Sequence, residues 1–222
     1  MQVLLISSSP HQEKSSTFLL AKEVLAGLNE AGVSSEILHL DNYSVLFCKH
    51  CEACHKKILK CSLKDDVNMI LQKMLKADAI ILATPNYINQ VTASMKALFD
   101  RSANFIHCKR LDGKYIAAVV SSGSGHDQDV LNYLKFYALT CGAQYSGGVS
   151  AQQQFGQDKK TEAFELGKKI LSDLKERKLY PDQLRDIQNG RQYFARIIQA
   201  RKDDWHDEYE YWLQKGWLVR EA

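Results

Sequence analysis

Four of the six cysteines lie close together in the chain, and their spacing is the first indication of chemistry. A 4Fe-4S cluster takes four thiolates, and compact runs of closely spaced cysteines are its usual sequence form. Zinc also accepts four thiolates, typically as two separated pairs, and His50 and His55 within the run could replace a thiolate. The spacing favours a cluster, with zinc, redox-responsive or merely packed cysteines, and disulfides as the alternatives. The four residues are Cys48, Cys51, Cys54 and Cys61.

A hydroxyl-rich segment, residues 7–17, follows the first apolar run of the chain. Its hydroxyls and the free amides of a helix N-terminus can donate several hydrogen bonds to one phosphate. The segment lacks the GxGxxG pattern of dinucleotide sites and the GK[ST] ending of a nucleotide P-loop. It therefore suits a phosphomonoester better, although serines that only cap a helix are an equally simple interpretation.

Two further loops have compositions that suit a flat ring. Residues 84–89 contain Pro85, which stiffens the turn, and Tyr87, which offers a face for stacking. Residues 121–126 are small enough for the backbone to approach a ring edge. Each loop alone could be a simple turn. Because ligands of open parallel sheets bind at the carboxyl ends of the strands, the loops together predict one ligand site.

The elements that must position these loops alternate between short apolar runs and helical patterns. Five strands separated by helices predict an α/β protein with a doubly wound parallel sheet and right-handed crossovers. Residues 92–103 are predicted to form one helix, and Asp65 is predicted to cap the helix before it. The predicted strands cover residues 2–6, 36–40, 79–83, 115–120 and 144–149.

Composition excludes several classes of protein. The chain has 222 residues, 45% hydrophobic and 25% charged, as expected of a soluble globular protein. A net charge of +3 without a run of basic residues argues against nucleic acid. No apolar run approaches the roughly twenty residues of a membrane span. No export signal is evident, so we expect a reducing cytoplasm, where clustered cysteines indicate metal or redox work.

Several motifs, taken in order, resemble those of the flavodoxin-like NAD(P)H-dependent FMN reductases and, within them, the iron–sulfur flavoproteins. They are Ser8-Ser9-Pro10-His11 with Ser15-Ser16-Thr17, Thr84-Pro85-Asn86-Tyr87, Met95-Lys96-Ala97-Leu98-Phe99-Asp100-Arg101, and the cysteine run followed by Asp65-Asp66. The resemblance covers residues 1–176 and implies the flavodoxin-like fold with strand order 2-1-3-4-5. It also implies FMN as cofactor and NAD(P)H as co-substrate. Residues 177–222 would form a helical, aromatic-rich extension.

The same resemblance implies which residues hold the cofactors. The FMN phosphate would be held by Ser9, His11, Ser15, Ser16 and Thr17. The isoalloxazine would lie along Pro85, Asn86, Tyr87 and Ile88, and its other edge would meet Ser122, Gly123 and Gly125. A 4Fe-4S cluster would be held by Cys48, Cys51, Cys54 and Cys61. The family often has Gly-Ser-x-Arg at the first loop, so phosphate binding here would depend more on hydroxyls and the helix end.

Five other residues could carry chemistry but have simpler interpretations. Asp100 and Arg101 could act as an acid and an anion hook, and we favour a charge pair that anchors a helix end. His126 could reach a nicotinamide, and we favour a surface histidine at a helix start. Cys108 and Cys141 are expected to be buried small hydrophobes.

The segment 205–218 holds all three tryptophans, which must pack on something because so many aromatic rings are costly to hydrate. Fold-related flavoproteins are commonly oligomers, so we expect a dimer or tetramer formed through this extension, with packing on the chain's own core as the alternative.

Together these features predict a cytoplasmic, FMN-dependent oxidoreductase. It would take electrons from NAD(P)H and pass them to a quinone, a flavin, another small acceptor or a redox protein, with the cysteine-bound cluster as a candidate relay. No side chain need act as an acid or base. The alternatives are a non-enzymatic flavin and iron–sulfur electron carrier, and a redox or metal sensor with a partner-binding cysteine loop.

Overall fold

Five parallel strands form a single sheet in the computed structural model, which describes residues 1–30 and 32–219. The order is β2-β1-β3-β4-β5, which confirms the predicted fold class and strand order. Ser7 is in register with Ala83, and Pro85 with Ser121, so three strands end at one edge. The strands are β1 (Gln2–Ser7), β2 (Ser34–His39), β3 (Ala79–Pro85), β4 (Tyr115–Ser122) and β5 (Gln144–Gln152).

Helices cover both faces of this sheet, which is why the central strands are apolar on both sides. Leu5 and Ile81 of the sheet belong to one core, and Leu4 and Ile80 belong to the other. The helices of the described residues are α1 (Ser16–Gly27), α2 (Ala53–Lys56), α3 (Val67–Lys76), α4 (Ala93–Asp100), α5 (Ala103–His107), α6 (Asp127–Thr140), α7 (Gln157–Glu176), α8 (Pro181–Ala200) and α9 (His206–Gln214). Helices α1 and α7 share one core, and α3, α4 and α6 share the other.

Helices α1 and α7 cross at unusually close range. A Cβ on Gly27 would lie 2.1 Å from the carbonyl oxygen of Phe164, and a Cβ on Gly167 would lie 2.1 Å from that of Val24. Only glycine permits this approach. The crossing fixes α1, whose N-terminus reaches the carboxyl edge of the sheet.

The helix predicted over about residues 92–103 is present as α4, but its predicted end is wrong, because the chain breaks between α4 and α5. The amide of Ser102 bonds to the carbonyl of Phe99, and the Ser102 hydroxyl donates to the same carbonyl at 2.8 Å. These bonds tighten the last turn and compete with the backbone hydrogen bonds that would continue the helix.

The prediction that Asp65 caps α3 is also wrong in its position. The residue before the helix is Asp66, whose side chain makes no capping bond. The Asp65 carboxylate does accept a hydrogen bond from the Val67 amide at 3.3 Å. Its shorter contacts are made to Arg101, so its main partner lies in a different element.

The C-terminal helices pack against their own chain. Trp205 and Trp212 are buried in a small cluster with Cys108 and Ile198, apart from the two cores of the sheet. Assembly through this extension stays a prediction, and its last residues, 220–222, lie outside the described part. Among the described residues, no helix combines the length and apolar character that a membrane crossing needs.

Candidate functional site

Three loops meet at the carboxyl edge of β1, β3 and β4, and hydrogen bonds join them. The hydroxyls of Thr17 and Ser121 lie 2.5 Å apart, which links the first loop to the third. The amide of Asn86 donates to the carbonyl of Ser121 at 2.7 Å, and its side chain donates to that of Gly125 at 2.9 Å. The loops singled out by sequence therefore form one continuous surface.

The first loop ends at the N-terminus of α1. Ser15 occupies the N-cap position, and its hydroxyl accepts a hydrogen bond from the Phe18 amide at 3.0 Å. Ser9, Ser15 and Thr17 are buried, whereas His11 is exposed. The hydroxyl of Ser16 donates to the carbonyl of Gln153 at 2.6 Å. The free amides of the first helical turn and the nearby hydroxyls form a donor set that suits a phosphate.

The second loop is a tight hairpin at the tip of β3. Tyr87 and Gln90 form a two-bond antiparallel bridge around Ile88 and Asn89, which have φ values of 53° and 57°. Positive φ at both central positions is typical of a type I′ turn, although a β-branched residue there is strained. Ile88 is 99% exposed and Tyr87 half exposed. An apolar, strained tip thus borders the site beside Pro85.

The third loop turns sharply before α6. The Ser122 hydroxyl accepts a hydrogen bond from the Gly125 amide at 3.1 Å, and Gly125 has a φ of 89°. Ser122 is buried, and Gly123 beside it is exposed. His126 precedes α6 in a left-handed conformation and is exposed, as expected of a surface histidine at a helix start.

Two buried polar atoms at this edge have no hydrogen-bond partner among the described residues. They are Oδ1 of Asn86 and the hydroxyl of Ser7. Buried polar groups are normally paired, so unpaired ones at a loop edge indicate a missing partner. The isoalloxazine of FMN carries an N–H and carbonyl oxygens along one edge, and the phosphate matches the hydroxyls of the first loop. The residues present therefore fit FMN.

A second site lies in the long connection between β2 and α3. All four clustered cysteines line one cavity of about 320 Å³, together with His107 and Trp205. Cys48 and Cys51 are exposed, whereas Cys54 and Cys61 are half buried, and all four are free thiols. The structure thus brings together the whole set that the sequence assigns to a metal centre, and each of these four cysteines is unpaired in it.

The cysteine loop is wound in a way that suits an anionic centre. His50 and Glu52, each following a cysteine, have left-handed φ values of 50° and 57°. The His50 amide points at the sulfur of Cys48 at 3.4 Å. Left-handed residues between right-handed ones turn successive amides inward, and such concavities hold many iron–sulfur centres. The strained backbone and the N–H to sulfur contact both fit a thiolate-bound cluster.

A single zinc ion would require the four sulfurs to lie close together. A tetrahedral zinc with bonds of about 2.3 Å places its sulfurs about 3.8 Å apart. Among the described residues, the one group of three or more ligand-type side chains with atoms within 4.8 Å of one another is His55, His107 and Glu208. No three of the four sulfurs form such a group, so the structure does not show the sulfur spacing of a preformed tetrahedral zinc site.

The environments of the thiols differ. Hydrogen bonds from the Ser62 hydroxyl, 3.1 Å away, and from the Ala53 amide lower the pKa of Cys51. Burial, reinforced by the charge of Glu208, raises the pKa of Cys54 to about 12. A bound metal centre would reverse this, because a coordinating thiol is deprotonated.

A buried ion pair supports the base of the cysteine loop. Arg101 donates to both oxygens of Asp65, at 2.6 and 3.0 Å, and the two side chains are almost fully buried. The same guanidinium donates to the carbonyl of Leu46 at 2.7 Å and approaches the sulfur of Cys61 at 3.2 Å. Burial acts to raise the pKa of Asp65, but Arg101 and the Leu46 amide hold it below its usual range. Arg101 thus anchors a helix end to the loop.

Asp100 is not part of this pair. Its carboxylate bonds to Lys96 on the exposed side of α4. An anchoring charge pair at this helix end is therefore present as expected, but Arg101 makes it with Asp65 and not with Asp100. Cys108 and Cys141 are fully buried, as expected.

Sequence reasoning missed the network behind the cysteine cavity. Glu208 is completely buried, and its two oxygens accept hydrogen bonds from Nδ1 of His55 at 2.7 Å and Nδ1 of His107 at 3.0 Å. Burial acts to raise the pKa of Glu208, but these bonds outweigh it and hold the pKa below its ordinary value. The available signal was spacing, since Glu208 shares a helix face with Trp205 and Trp212.

Comparison with known proteins gives one consistent picture. Residues 1–158 match the family described as NADPH-dependent FMN reductase. An iron-sulfur flavoprotein of Archaeoglobus fulgidus is 39% identical over 55% of this chain and 60% of its own length. A second iron-sulfur flavoprotein of that organism is 27% identical over 98% of this chain and 100% of its own length.

Solved structures agree in fold. A flavone reductase superposes with a TM-score of 0.61 at 22% identity, over 79% of this chain and 64% of that chain. An NADH:FMN oxidoreductase in its apo form superposes with a TM-score of 0.61 at 20% identity, over 82% and 92%. At such identities the likeness supports the flavodoxin-like fold.

Proposed function

The chain belongs to the NADPH-dependent FMN reductase family and is an oxidoreductase, and on that premise we propose that it oxidises NAD(P)H with FMN bound at the carboxyl edge of the sheet. We further propose that electrons leave through a 4Fe-4S cluster on Cys48, Cys51, Cys54 and Cys61. The final acceptor would be a quinone, a flavin, another small molecule or a redox protein.

The position of the two candidate sites carries this proposal. We call the three loops at the carboxyl edge of β1, β3 and β4 the flavin edge. Helix α4 starts beside it, where the amide of Thr92 donates to the hydroxyl of Thr84 at 3.2 Å. Arg101, the residue that follows this helix, reaches the sulfur of Cys61. Eight residues of α-helix span about 12 Å. The two candidate sites therefore lie near opposite ends of one short helix.

The chain's own residues would bind and orient rather than react. The first loop would hold a phosphate through buried hydroxyls and the N-terminus of α1. The tip at Tyr87 and Ile88 would offer an apolar border against which a planar ring can pack. Bound FMN would supply the conversion between two-electron and one-electron transfer, which the amino acids lack. Alignment of the co-substrate over the ring would then supply most of the catalysis.

The names of the iron-sulfur flavoproteins support the second part of the proposal, as does the geometry of the cysteine loop. Four thiols around one cavity, the left-handed residues at 50 and 52 and the donors to sulfur all favour a cluster. The buried Arg101 beside Cys61 adds positive charge next to a centre that carries negative charge.

The test is a double variant, Cys48→Ser with Cys51→Ser, compared with Cys141→Ala in anaerobically purified protein. We expect iron and acid-labile sulfide to fall to background in the double variant, while FMN content stays at the wild-type level. Cys141→Ala removes a thiol outside the cavity and should retain iron. NADPH and NADH oxidation are measured with quinone, flavin and one-electron acceptors.

Two outcomes would contradict the proposal. Equal iron and an unchanged spectrum in the double variant would exclude a cluster on these cysteines. No NAD(P)H oxidation with any acceptor, combined with full reduction of the protein by a redox partner, would assign it instead as an electron carrier.

A further inference from the structure

The C-terminal extension packs against the cysteine loop. Four of its residues, Arg201, Trp205, Asp207 and Glu208, make hydrogen bonds to residues 52–58 of that loop. We propose that these residues form a clamp that keeps the cysteine loop folded and the cluster enclosed, with Glu208 as its central positioning residue. The proposal rests on the cluster assignment above for its effect on iron, but not for its effect on the loop.

The first half of the clamp holds Glu52, which lies between Cys51 and Cys54. Its Oε2 accepts a hydrogen bond from Arg201 at 2.7 Å and another from the indole N–H of Trp205 at 3.2 Å. Glu52 has a left-handed backbone, which is unfavourable for a residue with a side chain. The two bonds from the extension therefore stabilise the strained turn that directs the neighbouring sulfurs.

The second half holds the short helix that carries Cys54. Glu208 bonds to His55, the next residue, and to His107 of α5, so one buried carboxylate ties the loop to the body of the protein. The rings of His55 and His107 stack with their centroids 4.5 Å apart. The carboxylate of Asp207 accepts a hydrogen bond from the Ile58 amide at 3.2 Å.

The arrangement around Glu208 is complete without a metal ion. Each carboxylate oxygen already accepts a hydrogen bond from one imidazole N–H, so the buried charge has its partners. Carboxylates that hydrogen-bond to metal ligands commonly set metal affinity without binding the ion themselves. Glu208 acts one step further out, because it holds His55, the residue that follows Cys54.

The clamp also closes the cavity. Arg201, Trp205 and His107 line it together with the cysteines, so the extension forms part of its wall. Trp205 is buried against both histidine rings, with centroids 4.6 and 5.0 Å away. Loosening the clamp would open this wall to water and oxidants. All four clamp residues lie beyond residue 158, where the family match ends.

The experiment uses Glu208→Gln and Arg201→Gln, with Asp203→Asn as the matched control at an exposed position of the same segment. Arg201 is partly exposed, so its variant tests the clamp even if the buried change at Glu208 impairs folding. Amide hydrogen exchange of residues 50–61 is followed in cluster-free protein, and iron loss to a chelator is followed in loaded protein. FMN content is measured in both.

We expect both clamp variants to exchange faster at residues 50–61 and to lose iron about tenfold faster than wild type, with FMN content unchanged. The control should match wild type in every measurement. Wild-type exchange and wild-type iron loss in both clamp variants would overturn the proposal. A metal ion beyond the cluster's iron that disappears in Glu208→Gln would assign the carboxylate to a metal site and also overturn it.

Failure of the cluster assignment would look different. Wild-type protein would then hold no iron and sulfide on these cysteines, while faster exchange at residues 50–61 in the clamp variants would still support the clamp. Unchanged exchange in protein that does hold a cluster would reject the clamp alone.

Discussion

The flavin edge and the cysteine cavity are built in different ways. The flavin edge consists of loops that follow neighbouring parallel strands, and the bonds between Thr17, Asn86 and Ser121 only fasten what the sheet already brings together. The cysteine loop leaves the sheet altogether and is held by buried charges, Asp65 with Arg101 and Glu208 with two histidines. Local bonds suffice where topology does the positioning, whereas a loop without a strand depends on a few specific partners.

The largest expected difference concerns the thiols of the cysteine loop themselves. In cluster-free protein, iodoacetamide should modify Cys51 far faster than Cys54 at mildly alkaline pH. Because the thiolate is the reactive form, a pKa of about 12 at Cys54 leaves about a thousandfold less thiolate than an ordinary cysteine has. Hydrogen bonds that lower the pKa of Cys51 act in the opposite direction.

Peptide mass spectrometry at successive times measures both rates. Protein unfolded in urea serves as the control, since both thiols should then react alike. Equal rates in the folded protein would show that the two cysteines share one environment, and the contrast would be lost.

A large effect on stability is expected where the loop meets the sheet. Arg101→Met leaves the Asp65 carboxylate buried without its partner, which should cost about 3–5 kcal/mol of unfolding free energy. Lys96→Met on the same helix breaks the exposed pair with Asp100 and should cost at most about 1 kcal/mol. Urea denaturation of both variants measures the difference, and similar losses would contradict the view that burial makes the Arg101 pair special.

The smallest effect is expected at the flavin edge. Thr17→Val removes the bond to Ser121 and one hydroxyl of the proposed phosphate site, and should weaken FMN binding at least about fivefold, since one neutral hydrogen bond contributes about 1 kcal/mol. Thr161→Val, whose hydroxyl donates only along α7, should leave the affinity unchanged. Flavin fluorescence titration gives both constants. A loss of about 3–5 kcal/mol in FMN binding free energy, as large as the loss of unfolding free energy expected for Arg101→Met, would mean that single bonds, rather than the sheet, hold the loops in place.

The same contrast explains what the sequence could reveal. Strands β1, β3 and β4 were predictable because both of their faces are buried and their residues are therefore apolar. The flavin edge followed from the topology rule for parallel sheets, and the cysteine motif was visible in its spacing. Boundaries such as the break at Ser102 were not predictable from the sequence, because a serine can either continue a helix or end it.

The supports of the cysteine loop were beyond reach for another reason. Arg101 is one of many charged residues near helix ends, and only its distance from Asp65 in the fold marks it out. Glu208 stands in an acidic, aromatic segment, and nothing local relates it to His55, which lies 153 positions earlier. Contacts of this kind depend on tertiary packing, which no short sequence window contains.

That long separation bears on the order in which the protein can be made. Glu52 precedes Arg201 by 149 residues in the chain, so it is synthesised first. At translation rates of about 5–20 residues per second, the cysteine loop exists for about seven to thirty seconds before its partner residues have been synthesised. During that interval the loop lacks the hydrogen bonds that Arg201, Trp205 and Glu208 supply in the folded protein. Because α8 and α9 are synthesised after the loop, the centre proposed for these cysteines can be inserted before the two helices close the cavity.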